Sequence, residues 1–161
     1  MKSILFVCTG NIFRSLVAEY ALKACLGQDS GYVIGSAGIE ATPQEIHPVV
    51  LARLLEKGVD PSLHRQRKLT RELIERASLT IAMGRNHQEW IRQEFRRNVR
   101  LFNHFCYHLD QPILDIHETI PDWRDQPESS REYLHFVIEH IWDGVPHLIE
   151  HLSSLEPRSV V

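Results

Sequence analysis

Hydrophobic and polar positions follow two periods that alternate along this chain. Ser3 to Val7 (SILFV) is a short unbroken apolar run, the pattern of a strand buried on both faces of a parallel sheet. Beyond a brief polar loop, Leu16, Val17, Tyr20, Ala21 and Ala24 recur at helical spacing, with Gly27 as a stop. Tyr32 to Gly38 (YVIGSAG) predicts a second strand, and His47 to Gly58 an amphipathic helix ended by its glycine. Thr70 is placed as the N-cap of a short helix running to Ala77. Ser78 to Met83 predicts a third strand, Asn86 to Phe95 a helix, and Val99 to Phe102 a fourth strand. From Glu128 to about Leu155 the pattern is mostly helical, with Pro146 expected to kink or split it.

Strands alternating with helices predict one α/β domain: a parallel sheet with helices on both faces. The domain is expected over residues 1–155, with 156–161 (EPRSVV) as a flexible tail. His104 to Pro127 is rich in Pro, Asp and His, and is long for a connection inside a compact domain. Segments of that kind carry function or move.

Composition narrows the function classes. The 161 residues suit one core, and a formal net charge of −3 gives no general basic surface for nucleic acid. The basic fragment Arg96 to Arg100 reads as a solvated helix end. No stretch reaches the length of a membrane span, and the first apolar run is too short for a signal peptide. Cys8, Cys25 and Cys106 are an odd number at wide spacing, neither a disulfide framework nor a zinc pattern. A reducing cytoplasm is the simplest compartment, and there a lone cysteine in an unusual setting is a candidate nucleophile. The histidines His135, His140, His147 and His151 read as a wet helix face rather than a metal site.

That setting is the stretch VCTGNIFRS, Val7 to Ser15. Cys8 and Arg14 form a C-x5-R pattern that leaves a strand and enters a helix, the edge of an α/β sheet where ligands bind. A loop of this length can turn its backbone N–H groups inward on an anion, beside the positive end of the helix dipole. Gly10 permits close approach, and Asn11 tolerates the left-handed region. Arg14 can fork two N–H groups onto two phosphate oxygens. The same donors favour a thiolate at Cys8, ready to attack phosphorus, with Ser15 placed to hydrogen-bond the sulfur. Expulsion of an alkoxide or phenoxide needs a proton. The segment TIPDWRD offers Asp122, stiffened by Pro121 and shielded by Trp123, with Asp125 and Asp115 as rivals.

Taken together, VCTGNIFRSLVAE, the SAG of Ser36 to Gly38, HRQRKLT (His64 to Thr70), IAM and IPD resemble, in order, the low-molecular-weight protein tyrosine phosphatases. The resemblance implies a four-stranded parallel sheet, no metal and no organic cofactor. It implies Cys8 as nucleophile, Arg14 as phosphate clamp and Asp122 as general acid and then base. Thr9, Gly10, Asn11, Ile12, Phe13, Ser15 and Trp123 would line the substrate, and Ser36 and His64, with Ser15, would hold a strained Asn11. The partners implied are a phosphotyrosine protein or another aryl phosphate, with phosphate, sulfate or vanadate competing.

Departures from that family's pattern also stand out. Phe13 replaces the second cysteine of its loop, and Leu16 its proline. With Phe13, a disulfide cannot trap an oxidised Cys8, which leaves the sulfur open to irreversible oxidation. Asp122-Trp123-Arg124 stands where D-P-Y is usual, so Trp123 is expected to replace the missing tyrosine wall. Gly84 stands where an acidic residue follows the AM. Three alternatives compete. Thioredoxin-coupled arsenate reductase needs a further pair of neighbouring cysteines. An arginine-phosphate phosphatase carries threonine where this chain has Ile12. A phosphate-binding module would have lost turnover through its altered acid loop.

Overall fold

The computed structural model describes residues 2–155; the expected tail at 156–161 lies outside them. Four parallel strands form one sheet in the order β2-β1-β3-β4. They are β1 (Lys2–Cys8), β2 (Tyr32–Gly38), β3 (Leu79–Ala82) and β4 (Arg100–Leu101). The central strand β1 pairs with β2 from Lys2↔Tyr32 to Cys8↔Gly38, and with β3 from Ile4↔Leu79 to Val7↔Ala82. Both of its edges are therefore paired, and side chains packed on both of its faces account for its unbroken apolar run.

The strand period of two splits β1 between two cores. Ile4, Phe6 and Cys8 face one side, packed with Leu16, Val17, Phe102, Ile138 and Leu148. That side holds α1 (Arg14–Leu26), α2 (Pro48–Glu56), α5 (Phe102–Tyr107) and α7 (Pro127–Leu155). Leu5 and Val7 face the other side, against Leu69, Ile74 and Ile91. Ile74 and Ile91 come from α3 (Arg71–Arg76) and α4 (Arg85–Phe95). Thr70 caps α3 as expected, its hydroxyl accepting from the Leu73 N–H at 3.3 Å.

Three expectations change. The helix α7 is one element of 29 residues that runs through Pro146. Its buried stripe of Leu134, Ile138, Ile141, Val145, Leu148 and Leu152 continues across the proline, whose own side faces solvent. Burial along both halves offsets the ~3 kcal/mol that an interior proline costs. Segment 104–127 is also less open than its composition suggests. It contains the end of α5, a short helix α6 (Ile116–Thr119) and a 3-10 turn at Trp123–Asp125. Nor are the histidines of α7 uniformly a wet face. His140 stacks on Tyr107 at 4.4 Å and bonds Asn103 Oδ1 at 2.6 Å, while His151 meets the edge of Phe105 at 5.1 Å. His147 is exposed. No described helix is long and apolar enough to cross a membrane.

Candidate active site

The loop between β1 and α1 lies at the carboxyl edge of the sheet. It can settle there because the neighbouring strand ends in Gly38: a Cβ at that position would sit 2.4 Å from the Thr9 carbonyl and 3.0 Å from the Asn11 nitrogen. Ile39 N–H bonds the Cys8 carbonyl at 3.0 Å and Glu40 N–H the Thr9 carbonyl at 2.9 Å, which fastens the loop to the strand end. Asn11 takes a left-handed conformation with φ of 57°. The strain is held by a complete set of partners. Its side-chain amide donates to Ser15 Oγ at 3.0 Å and Ser36 Oγ at 2.7 Å, and its Oδ1 accepts the Arg67 N–H at 3.1 Å. His64 Nε2 lies 2.8 Å from its carbonyl. Ser36 in turn donates to Glu19, and Gln66 donates to the Gly10 carbonyl.

Two donors converge on Cys8 Sγ. Ser15 Oγ, which also accepts from Asn11, is at 2.9 Å and can donate its hydrogen to a thiolate there. The Asn11 N–H lies at 3.3 Å. Helix α1 begins at once beyond the loop with no side-chain cap and no acidic residue in its first turn, so its positive end stays uncompensated.

Arg14 is the largest fully buried side chain, 1% exposed. Its Nη1 donates to the Ile113 carbonyl at 2.8 Å. Its Nη2 donates to Asp115 Oδ2 at 3.0 Å and to Thr9 Oγ1 at 3.4 Å. Its Nε–H has no hydrogen-bond partner among the described residues. Leaving a buried donor unpaired is costly, and the cost vanishes when an anion takes the hydrogen.

Asp115 is fixed from its other side. It caps α6 in a reciprocal pair, accepting from Ile116 N–H at 2.7 Å while Glu118 Oε2 accepts the Asp115 N–H at 2.6 Å. A cavity of about 940 Å³ joins these groups, lined by Cys8, Thr9, Gly10, Ile12, Phe13 and Arg14 below and by Asp115 and Trp123 above. Trp123 faces His47 across 6.0 Å and carries the Arg124 guanidinium on its ring at 4.5 Å. Asp122 stands elsewhere. It is exposed at the start of the 3-10 turn, its carboxylate taken by Gln126 Nε2 at 3.2 Å, and it is not among the residues lining the cavity.

Sequence reasoning expected Asp122 at the site; the structure lines the cavity with Asp115, bonded to Arg14, and leaves Asp122 outside that lining. The D-x-x-E pattern of Asp115 to Glu118 is a capping signature that could have marked a fixed carboxylate. Glu19, Gln66 and Arg67 had no separate signal as supports of Asn11. Neither did His87 in α4, whose Nε2 lies 2.9 Å from Thr9 Oγ1. Burial, helped by the Arg14 charge, pushes the His87 imidazole from 6.5 down to about 3. Unfolded, the same ring binds a proton below about 6.5. Stability is therefore lost as pH falls from there toward 3, by about 2 kcal/mol at pH 5 from this group. Denaturant midpoints at pH 7 and pH 5 should show that loss in the native chain and not in His87→Phe, with equal losses in both overturning the assignment.

Among the described residues no group of three or more His, Cys, Asp or Glu is placed to hold a metal ion. Comparison with known proteins identifies the family. The family described as low molecular weight phosphotyrosine protein phosphatase matches residues 3–157. A low molecular weight protein-tyrosine-phosphatase of Acinetobacter johnsonii is 39% identical over 93 residues, 57% of this chain and 63% of the relative. A protein-arginine-phosphatase of Bacillus subtilis (strain 168) is 38% identical over 96 residues, 58% of this chain and 63% of that protein. The chain thus spans less than two thirds of the length of either relative. The solved YwlE arginine phosphatase from Geobacillus stearothermophilus is similar in structure, with a TM-score of 0.78, 26% identity, and coverage of 96% of this chain and 94% of that one.

Proposed function

Because the chain belongs to the low molecular weight phosphotyrosine protein phosphatase family, we propose that it hydrolyses phosphate monoesters, phosphotyrosine in proteins foremost, through a phosphocysteine on Cys8. The observation that carries this reading is the buried, unpartnered Nε–H of Arg14 in the same cavity as the Cys8 sulfur. A buried cationic donor without an acceptor, next to a nucleophile, is an anion site with chemistry attached.

The Cys8 thiolate attacks phosphorus in line, and the bond from phosphorus to the phenolic oxygen breaks. Arg14 Nε and Nη2 hold two equatorial oxygens, and the inward loop N–H groups and the α1 terminus take the remaining charge. The departing phenoxide receives a proton from Asp115, the cavity-lining carboxyl group held against Arg14. In the free chain that carboxylate accepts from Arg14 Nη2; the incoming phosphoryl group takes over Nη2, and Asp115 takes up the proton that the substrate monoanion brings before passing it to the phenoxide. Water then attacks phosphorus and yields its proton to Asp115, while the bond from sulfur to phosphorus breaks. Ser15 Oγ–H, 2.9 Å from the sulfur, eases its departure.

Ile12, Ile39, Ile46 and Trp123 give the cavity apolar walls suited to an aryl ring. The names of the Bacillus relative and the solved Geobacillus structure favour arginine phosphate as a second reading. Ile12 argues against it, since an apolar side chain stands where an arginine-phosphate phosphatase carries the threonine that polarises water. Arsenate reduction finds no support in the three free cysteines, which lie apart in β1, α1 and α5. The test is steady-state hydrolysis of phosphotyrosine and phosphoarginine peptides of one sequence. We expect kcat/KM to favour phosphotyrosine at least about tenfold, the scale of a well-fitted apolar pocket. A preference for phosphoarginine overturns the substrate. Competitive vanadate binding with neither peptide turned over leaves only a phosphate-binding module.

A further inference from the structure

We infer that Thr9 donates a side-chain hydrogen bond to the bound tetrahedral anion, and that His87 positions it to do so. The inference rests on the site reading above and adds one ligand-binding residue and one positioning residue to it.

The argument is an account of hydrogens. The Gly84 N–H, which can only donate, points to His87 Nδ1 at 2.9 Å. That nitrogen is therefore bare, and the ring proton sits on Nε2. The Nε2–H then donates to Thr9 Oγ1 at 2.9 Å. Arg14 Nη2–H donates to the same oxygen at 3.4 Å. A hydroxyl oxygen has two lone pairs and one hydrogen. Both lone pairs are occupied, so the Thr9 hydroxyl can act only as a donor. Among the described residues no acceptor takes its hydrogen, and Thr9 lines the cavity between Cys8 and Gly10. The acceptor this arrangement fits is an oxygen of a phosphoryl group clamped by Arg14.

His87 suits the role because it holds one tautomer. It is fully buried at the start of α4, and the Gly84 N–H together with the nearby Arg14 charge opposes a second ring proton. A charged imidazole would turn a hydrogen on the Gly84 N–H. Neutral and fixed, the ring keeps the Thr9 hydroxyl aimed into the cavity and adds no charge to compete for the anion.

The experiment is vanadate inhibition of aryl phosphate hydrolysis in native protein, Thr9→Val, Thr9→Ser, His87→Phe and Thr9→Val with His87→Phe, with thermal midpoints for each. Thr9→Val should raise the vanadate inhibition constant roughly 10–100-fold, the worth of one bond to a charged acceptor. Thr9→Ser should restore it to within about threefold, because the hydroxyl returns. His87→Phe should weaken vanadate about 5–20-fold alone and by less than about twofold in the Thr9→Val background, since a residue acting through Thr9 has nothing left to position. Nitrogen NMR of the native chain should show His87 with Nδ1 bare and Nε2 protonated. Native-like vanadate affinity in Thr9→Val, or independent effects that multiply in the double variant, overturns the inference and leaves the site reading intact. Failure of vanadate to compete in the native protein overturns the site reading itself.

Discussion

Cys8→Ser is expected to lower kcat for an aryl phosphate by at least about 10⁴-fold while tetrahedral anions still bind. A serine hydroxyl is a weak nucleophile unless a base removes its proton. The groups bonded to the sulfur here, Ser15 Oγ–H and Asn11 N–H, are donors and supply no base. The anion site is built from Arg14, the loop backbone and the α1 terminus, none of which the substitution touches. Steady-state kinetics should therefore report lost turnover, and calorimetry with phosphate or sulfate a retained affinity. The other cysteines are poor substitutes. Cys25 is exposed on α1, and burial pushes the Cys106 thiol up to about 12. Turnover within tenfold of native in Cys8→Ser would place the nucleophile elsewhere.

Asp115→Asn is expected to lower kcat by about 10²–10⁴-fold, the usual worth of a general acid. The loss should shrink for a substrate whose leaving group is stable without a proton. The same variant should bind phosphate more tightly than native protein, because Asp115 Oδ2 holds Arg14 Nη2 at 3.0 Å and an incoming anion must displace it. Slower turnover with tighter anion binding is a combination that simple damage to the fold does not produce. Asp122→Asn, at an exposed position bonded to Gln126, should alter kcat by no more than about threefold. If Asp122→Asn is the damaging variant and Asp115→Asn is silent, the carboxylate that moves the proton is Asp122, brought in by motion of the 3-10 turn.

The strands were readable because burial on both faces leaves a continuous apolar run, and the start of α3 because Thr70 caps it locally; α5 and α6 were not anticipated. The cradle was readable for the same reason: Cys8, Gly10, Asn11, Arg14 and Ser15 lie within one turn of chain, and each residue type has a local job. What could not be read depends on distant chain segments meeting. Asp115 and Asp122 are seven residues apart and alike in sequence, and only the path of α6 and the following turn puts one over Arg14 and the other in water. His87 looks like a polar residue in a solvated helix; its burial against Thr9 depends on where α4 begins. Pro146 reads as a break until the buried stripe on both sides of it is seen. The resemblance to known phosphatases added Ser36 and His64, which residue patterns alone would have left as a strand serine and a surface histidine.

The partners of Arg14 also set the order in which the site can assemble. The contacts that shape the cradle span four and seven residues from Asn11 and Cys8 to Ser15, 25 to Ser36, and 53 to 56 to His64, Gln66 and Arg67. Those that join it to Ile113 and Asp115 span 99 and 101. Closing short loops costs little entropy and is fast; bringing in the far segment waits for α5 and α7 to pack. The cradle therefore draws these contacts from the first part of the chain, and the carboxylate that meets Arg14 comes from a segment about a hundred residues further on.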